Sequence, residues 1–104
     1  MKIKKALNIE GSEEAMFMAK IADALSHPLR IALVHYVSKK NKVRNDVCNK
    51  DLVEHFPYSQ SSLSQHVKKL KDAEVFKVEY VDKFSFYSVN KGTLKKFKKD
   101  LSAL

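Results

Sequence analysis

A chain of 104 residues holds one modest core and is too short for a deep catalytic cleft between lobes. Twenty Lys and Arg against 12 Asp and Glu give a formal net charge of +8, and a pI of about 9.6 lies where nucleic-acid-binding domains are found. One cysteine and two glycines exclude a disulfide framework and a glycine-rich phosphate loop. No apolar run approaches the ~18 residues of a membrane span, and no signal-peptide pattern follows Met1, so the expectation is a reduced, cytoplasmic protein.

Residues 1–11 carry little pattern and read as a flexible basic lead-in, with a single domain expected over 12–104. Ser12 starts a helix as its cap, and Glu13 and Glu14 follow where the helix dipole favours negative charge. Phe17 and Ile21 form one apolar line on it, and Met18, Ala22 and Leu25 another, so this helix expects burial on more than one face. Ser26 is the expected cap of the next helix, with Pro28 in its first turn and Leu29, Ala32, Leu33, Tyr36 and Val37 as its core stripe. From Ser38 to Asp46 the chain is polar and basic and reads as a loop, followed by a short strand at Val47 and Cys48. Asn49 is the expected cap of a third helix running from Lys50 to Phe56, with Leu52, Val53 and Phe56 inward.

Pro57 stops that helix and Ser59 caps the next, which makes a helix-turn-helix with Tyr58 expected to plug the angle. In the second helix Leu63, Val67 and Leu70 fall on one side, with Glu74 in line. Ser61, Gln65, Lys68 and Asp72 point most directly away, with Ser62, Ser64 and Lys69 on the shoulders. Short hydroxyl and amide groups there reach base edges and phosphates at small desolvation cost, so the expectation is a DNA-recognition helix. After Ala73 the period becomes alternating: Phe76, Val78 and Tyr80 on one strand, a turn at Asp82 and Lys83, and a return strand from Phe84 to Asn90. Such a hairpin is marginal alone, so its aromatic face has to pack on the helices. The last stretch, Lys91 to Leu104, forms a helix with Leu94, Phe97 and Leu101 inward and four lysines outside. The expected fold is mainly α with a small β-hairpin, a winged helix-turn-helix.

The segment from Ala24 to Leu33, Ala-Leu-Ser-His-Pro-Leu-Arg-Ile-Ala-Leu, and the segment from Ser59 to Leu70, followed by Ala73 and Val75, resemble the ArsR-type winged helix-turn-helix regulators of prokaryotes. With Tyr87 to Asn90 closing the wing, the resemblance covers the chain from about Ser12 onward. It implies a homodimer paired through the first and last helices, for which Phe17, Met18, Ile21, Leu94, Phe97 and Leu101 are the candidates. It also implies double-stranded DNA as partner, with one recognition helix per subunit in the major groove. Three departures stand out. The best-known members hold metal with two cysteines one residue apart before the third helix, where this chain has Cys48 alone. Others use Asp and His on the last helix, which here has no His and only Asp100. Glu74 stands where many relatives have Gly, at a cost of about 1 kcal/mol if the position is left-handed.

For DNA, Ser61, Ser62, Gln65 and Lys69 are candidates for base or groove contact, since Gln pairs with adenine and Lys with guanine. Ser59, Gln60, Ser64 and Lys68 are candidates for phosphate, and Lys83 at the hairpin tip for backbone or minor groove. His66 reads as a packing residue at the edge of the stripe. His27, His35, His55 and His66 form no convincing ligand set, so neither metal nor cofactor is expected, and neither is enzyme activity. Two alternatives stand beside a DNA-binding repressor: a winged-helix protein-interaction module, and a thiol-responsive regulator using Cys48.

Overall fold

The computed structural model describes residues 11–104, so most of the expected lead-in lies outside the described residues. Helix α1, Glu13–Ala24, opens on Ser12, whose side chain accepts from the Ala15 N–H. Ile21 and Ala24 are buried, Phe17, Met18 and Leu25 only half so, and Ala22 is exposed. Helix α2, Pro28–Lys40, is capped by His27 rather than Ser26: the His27 Nδ1 accepts from the Leu29 N–H at 3.0 Å. The Ser26 hydroxyl instead donates to the Asp23 carbonyl at 2.6 Å, closing the end of α1. Arg30 braces the same end, its Nε donating to the Ala24 carbonyl at 2.7 Å. Because α2 continues to Lys40, the loop expected from Ser38 begins only at Asn41.

Asn41 shows why that loop is fixed: its Oδ1 accepts from the Val89 N–H at 3.0 Å, and its amide donates to the Arg44 carbonyl. Strand β1, Val47–Cys48, leads directly into α3, Asn49–His55, with Cys48 at the cap position in place of Asn49. Asp51 reaches back to accept from the Cys48 N–H at 2.9 Å, and Arg44 holds its other oxygen at 2.9 Å. Asn49 has a different task, accepting from the Tyr87 hydroxyl at 3.1 Å. Leu52 is buried, Phe56 half-buried, and Val53, expected inward, is 41% exposed.

Helix α4, Gln60–Asp72, buries Leu63, Val67 and Leu70 as its stripe requires. It ends in a Schellman arrangement. The Val75 N–H bonds to the Leu70 carbonyl and the Glu74 N–H to the Lys71 carbonyl, both at 2.9 Å. That geometry needs a left-handed residue, and Glu74 supplies it at φ 61°. Burial of Val75 against the helix end offsets the cost, since Leu70 and Val75 are both fully buried.

Strands β2, Phe76–Val81, and β3, Phe84–Val89, pair in register from Phe76 opposite Val89 to Val81 opposite Phe84. Asp82 turns the chain at φ 55°, a conformation Asp tolerates better than most residues. The hairpin is one part of a three-stranded antiparallel sheet in the order β1-β3-β2, with Val47 opposite Tyr87 and Cys48 opposite Phe86. Phe76, Tyr87 and Val89 enter the core, but Tyr80 and Phe84 near the tip are 66% and 56% exposed, so the expected aromatic packing covers only the base. Helix α5, Lys91–Ser102, is capped by Asn90, packs on α1, and buries no residue fully. One cluster joins the core, from Ile21 and Leu33 through Leu52 and Leu63 to Val75 and Tyr87.

Candidate nucleic-acid interface

Three elements place α4. Helix α3 meets it across the turn 56–59, α2 packs behind it, and the sheet flanks it. The angle between α3 and α4 is not plugged by Tyr58, which is 47% exposed. Phe56, half-buried, packs edge-on to Tyr36 of α2 and to His55, at centroid distances of 5.5 and 4.8 Å. Ser59 starts α4, its Oγ accepting from the Ser62 N–H at 3.1 Å and lying 3.3 Å from the Ser61 Oγ.

From that start the sides of α4 meet different surroundings. On the α1 and α2 side, Arg30 Nη1 lies 3.0 Å from His66 Nδ1, and Lys69 Nζ pairs with Asp23 at 2.7 Å. Burial, then the charges of His27 and Arg30, push the His66 imidazole below its ordinary pKa. It is neutral at pH 7, with Nδ1 free to accept from Arg30. The hydrogen bond from Lys69 holds the Asp23 carboxyl below the usual range. On the wing side, Ser64, Lys68 and Lys71 face Val78, Tyr80 and Ser85 across a cleft of about 180 Å3. Lys68 also pairs with Asp72 one turn on, at 2.7 Å, which raises the lysine and lowers the carboxylate. Ser61 and Gln65 stand exposed between these two sides.

The candidate residues are therefore gathered but not equivalent. Ser59, Gln60, Ser61, Ser64, Gln65 and Lys68 are exposed along α4 and its cap, and Ser62 is half-buried. Lys69 is turned toward α1 by Asp23. Lys83 sits exposed at the hairpin turn. Lys71, Tyr80 and Ser85 line the cleft but are not among the residues the sequence offers for DNA contact. Lys71 follows Lys68 by three residues and shares its side, a spacing that could have found it. Tyr80 was expected in the core by alternation, but the sheet outruns the helices beneath it.

Cys48 is a half-buried free thiol. Asp51 and His55, four apart on α3, are engaged separately. Burial pushes the Asp51 carboxyl up, but the hydrogen bonds from the Cys48 N–H and Arg44 outweigh it and leave it below the usual range. His55 stacks on Tyr36 at 4.3 Å. Among the described residues no group of three or more His, Cys, Asp and Glu is placed to hold a metal ion, and no helix is long and apolar enough to cross a membrane.

A short helix, a tight turn, a second helix with a polar exposed side and a β-hairpin beside it define a winged helix-turn-helix DNA-binding domain. Residues 27–77 match the family model described as bacterial regulatory protein, arsR family. The chain belongs to the ArsR-type winged helix-turn-helix transcriptional regulators, a family of regulators and not of enzymes. Solved structures agree on the fold. An ArsR-like transcriptional regulator from Rhodococcus sp. RHA1 superposes with a TM-score of 0.72 at 17% identity, over 85% of this chain and 78% of that one. Another ArsR family transcriptional regulator gives 0.70 at 16% identity, over 85% and 86%. A third structure, titled as a possible transcriptional regulator for arsenical resistance, gives 0.65 at 22% identity, over 78% and 79%. No curated protein matches the chain by sequence.

Proposed function

We propose that the chain works as a cytoplasmic homodimeric repressor that reads a palindromic operator with two copies of α4, each chain contributing a single domain over 12–104. The observation that carries this reading is the exposed front of α4, where Ser61 and Gln65 stand between lysine-bearing sides. Gln65, Ser61 and Ser62 are assigned to base edges, and Ser59, Gln60, Ser64 and Lys68 to phosphates. Lys69 joins the groove contacts only by leaving Asp23, an exchange a solvent-exposed ion pair permits at little cost. Lys83 is assigned to the backbone beside the wing.

Dimerisation is supported by the α1–α5 face. Met16 and Leu101 are 65% and 50% exposed, and Phe17, Met18, Leu94 and Phe97 are half-buried. Ile21 is fully buried within its own chain, so it supports that face from behind rather than meeting a second copy. The signal does not run through the family's cysteine-pair site, because Cys48 has no second thiol beside it.

Fluorescence anisotropy on a random-sequence duplex tests the class. Phosphate-driven binding should fall by roughly 10³ between ~50 and ~200 mM salt. Absence of binding at low salt would return the chain to the protein-interaction class.

A further inference from the structure

The second half of α2 and the end of α3 enclose an open groove of about 590 Å3, lined among others by His35, Tyr36, Lys39, Lys40, His55 and Phe56. That volume falls within the range of small-molecule sites. Its apolar part is the ring cluster: Tyr36 lies 4.3 Å from His55, with Phe56 edge-on to both. Its polar part is cationic. Lys40 Nζ is 5.6 Å from the Tyr36 centroid, and Lys39 lies one residue before it. Among the described residues no Asp or Glu lines the groove. Asp51, further back on α3, is already held by Arg44 at 2.9 Å. Among the described residues neither Lys39 nor Lys40 has an ion-pair partner.

We infer that this groove binds a small aromatic carboxylate, its planar body against Tyr36, His55 and Phe56 and its acid group on Lys39 and Lys40. Rings without a charge would leave the lysines unused, and a bare anion would leave the rings wet. A planar anion engages both. The groove ends at Phe56, three residues before the Ser59 cap that starts α4. An occupant there bears on the seat of α4, and that consequence alone rests on the DNA-binding reading. The site itself does not.

The test is a titration of the 15N-labelled chain followed by amide shifts, without DNA. The probes are 1-naphthoate, the neutral naphthalene-1-methanol, and inorganic phosphate. The expected result is saturable shifts at Tyr36, Lys39, Lys40, His55 and Phe56 with 1-naphthoate, at a Kd of about 1 mM or tighter. The alcohol should bind about tenfold more weakly, and phosphate should leave those amides in place. The double variant K39Q/K40Q, altering partly or fully exposed side chains, should keep a dispersed spectrum and weaken 1-naphthoate by about tenfold. Tyr36→Leu should weaken it independently. Shifts centred on α1 and α5, an unchanged Kd in K39Q/K40Q, or phosphate binding as tight as 1-naphthoate would each overturn the assignment. Because no DNA is present, failure to bind DNA would leave this result standing, and failure here would leave the DNA reading untouched.

Discussion

Helices α4 and α5 are close in length, 13 and 12 residues, both are lysine-rich, and both carry an apolar stripe. They end in different situations. Helix α4 buries Leu63, Val67 and Leu70 inside its own chain and keeps a polar front for something else. Helix α5 buries nothing: Leu94 and Phe97 are half-covered by α1, and Leu101 is half-exposed. Equal patterning therefore does not imply equal satisfaction. The stripe of α4 is used for folding, and the stripe of α5 has apolar surface left for association.

The same substitution on the two helices should separate these roles most sharply. Leu70→Ala leaves a cavity in a fully buried site and is expected to cost about 2–5 kcal/mol of folding stability. Leu101→Ala should cost well under that in dilute solution, and, for the proposed dimer, should instead weaken the concentration dependence of the urea midpoint. Equal losses from both would mean that α5 is a core helix after all.

On the polar front of α4, Gln65→Ala is expected to weaken binding to a preferred sequence by roughly 1–3 kcal/mol. Lys68→Ala should weaken all sequences alike and reduce the salt slope by at most about one, because Asp72 already holds part of that charge. Anisotropy titrations on cognate and random duplexes distinguish the two. A Gln65→Ala chain with unaltered preference would place the reading face elsewhere.

Smaller effects test how α4 is held. Glu74→Gly should stabilise the fold by about 0.5–1 kcal/mol, measured by thermal unfolding, since Gly adopts the left-handed position without strain. The exposed contact with Lys20 at 3.7 Å offsets little of that gain. The smallest expected effect belongs to His66. Its folded pKa lies below the unfolded value, so the unfolded chain takes up a proton first as pH falls through ~6.5, and stability declines from there down to the folded pKa. His66→Asn, which keeps an acceptor for Arg30, should flatten that decline in Tm between pH 7 and 5. An unchanged slope would mean that the titration seen belongs to another group.

Much of this arrangement was legible because it is periodic. Leu63, Val67 and Leu70 declare one side of α4, and Phe76, Val78 and the Asp82-Lys83 turn declare the hairpin and its register. What stayed hidden depends on groups distant in the chain or on one-residue geometry. Two residues, Val47 and Cys48, have no alternation long enough to announce that they pair with Tyr87 and Phe86. Ser26 and His27 can both cap a helix, and only the backbone turn at Asp23 decides that Ser26 closes α1 while His27 opens α2. Lys69 belonged to the polar shoulder by angle, yet Asp23 of α1 draws it sideways. Tyr58 is the ring the turn offers as a plug, but it is 47% exposed, and it is Phe56 that packs, against Tyr36 and His55.

Selection of bound sequences from a random duplex pool tests the central claim most directly, since it reports sequence preference and symmetry together. Two α4 helices related by a two-fold predict inverted repeats with half-site centres about one helical turn apart, ~34 Å. Enrichment of single, unrepeated sites, or no enrichment at all, would contradict a paired reader built on α4.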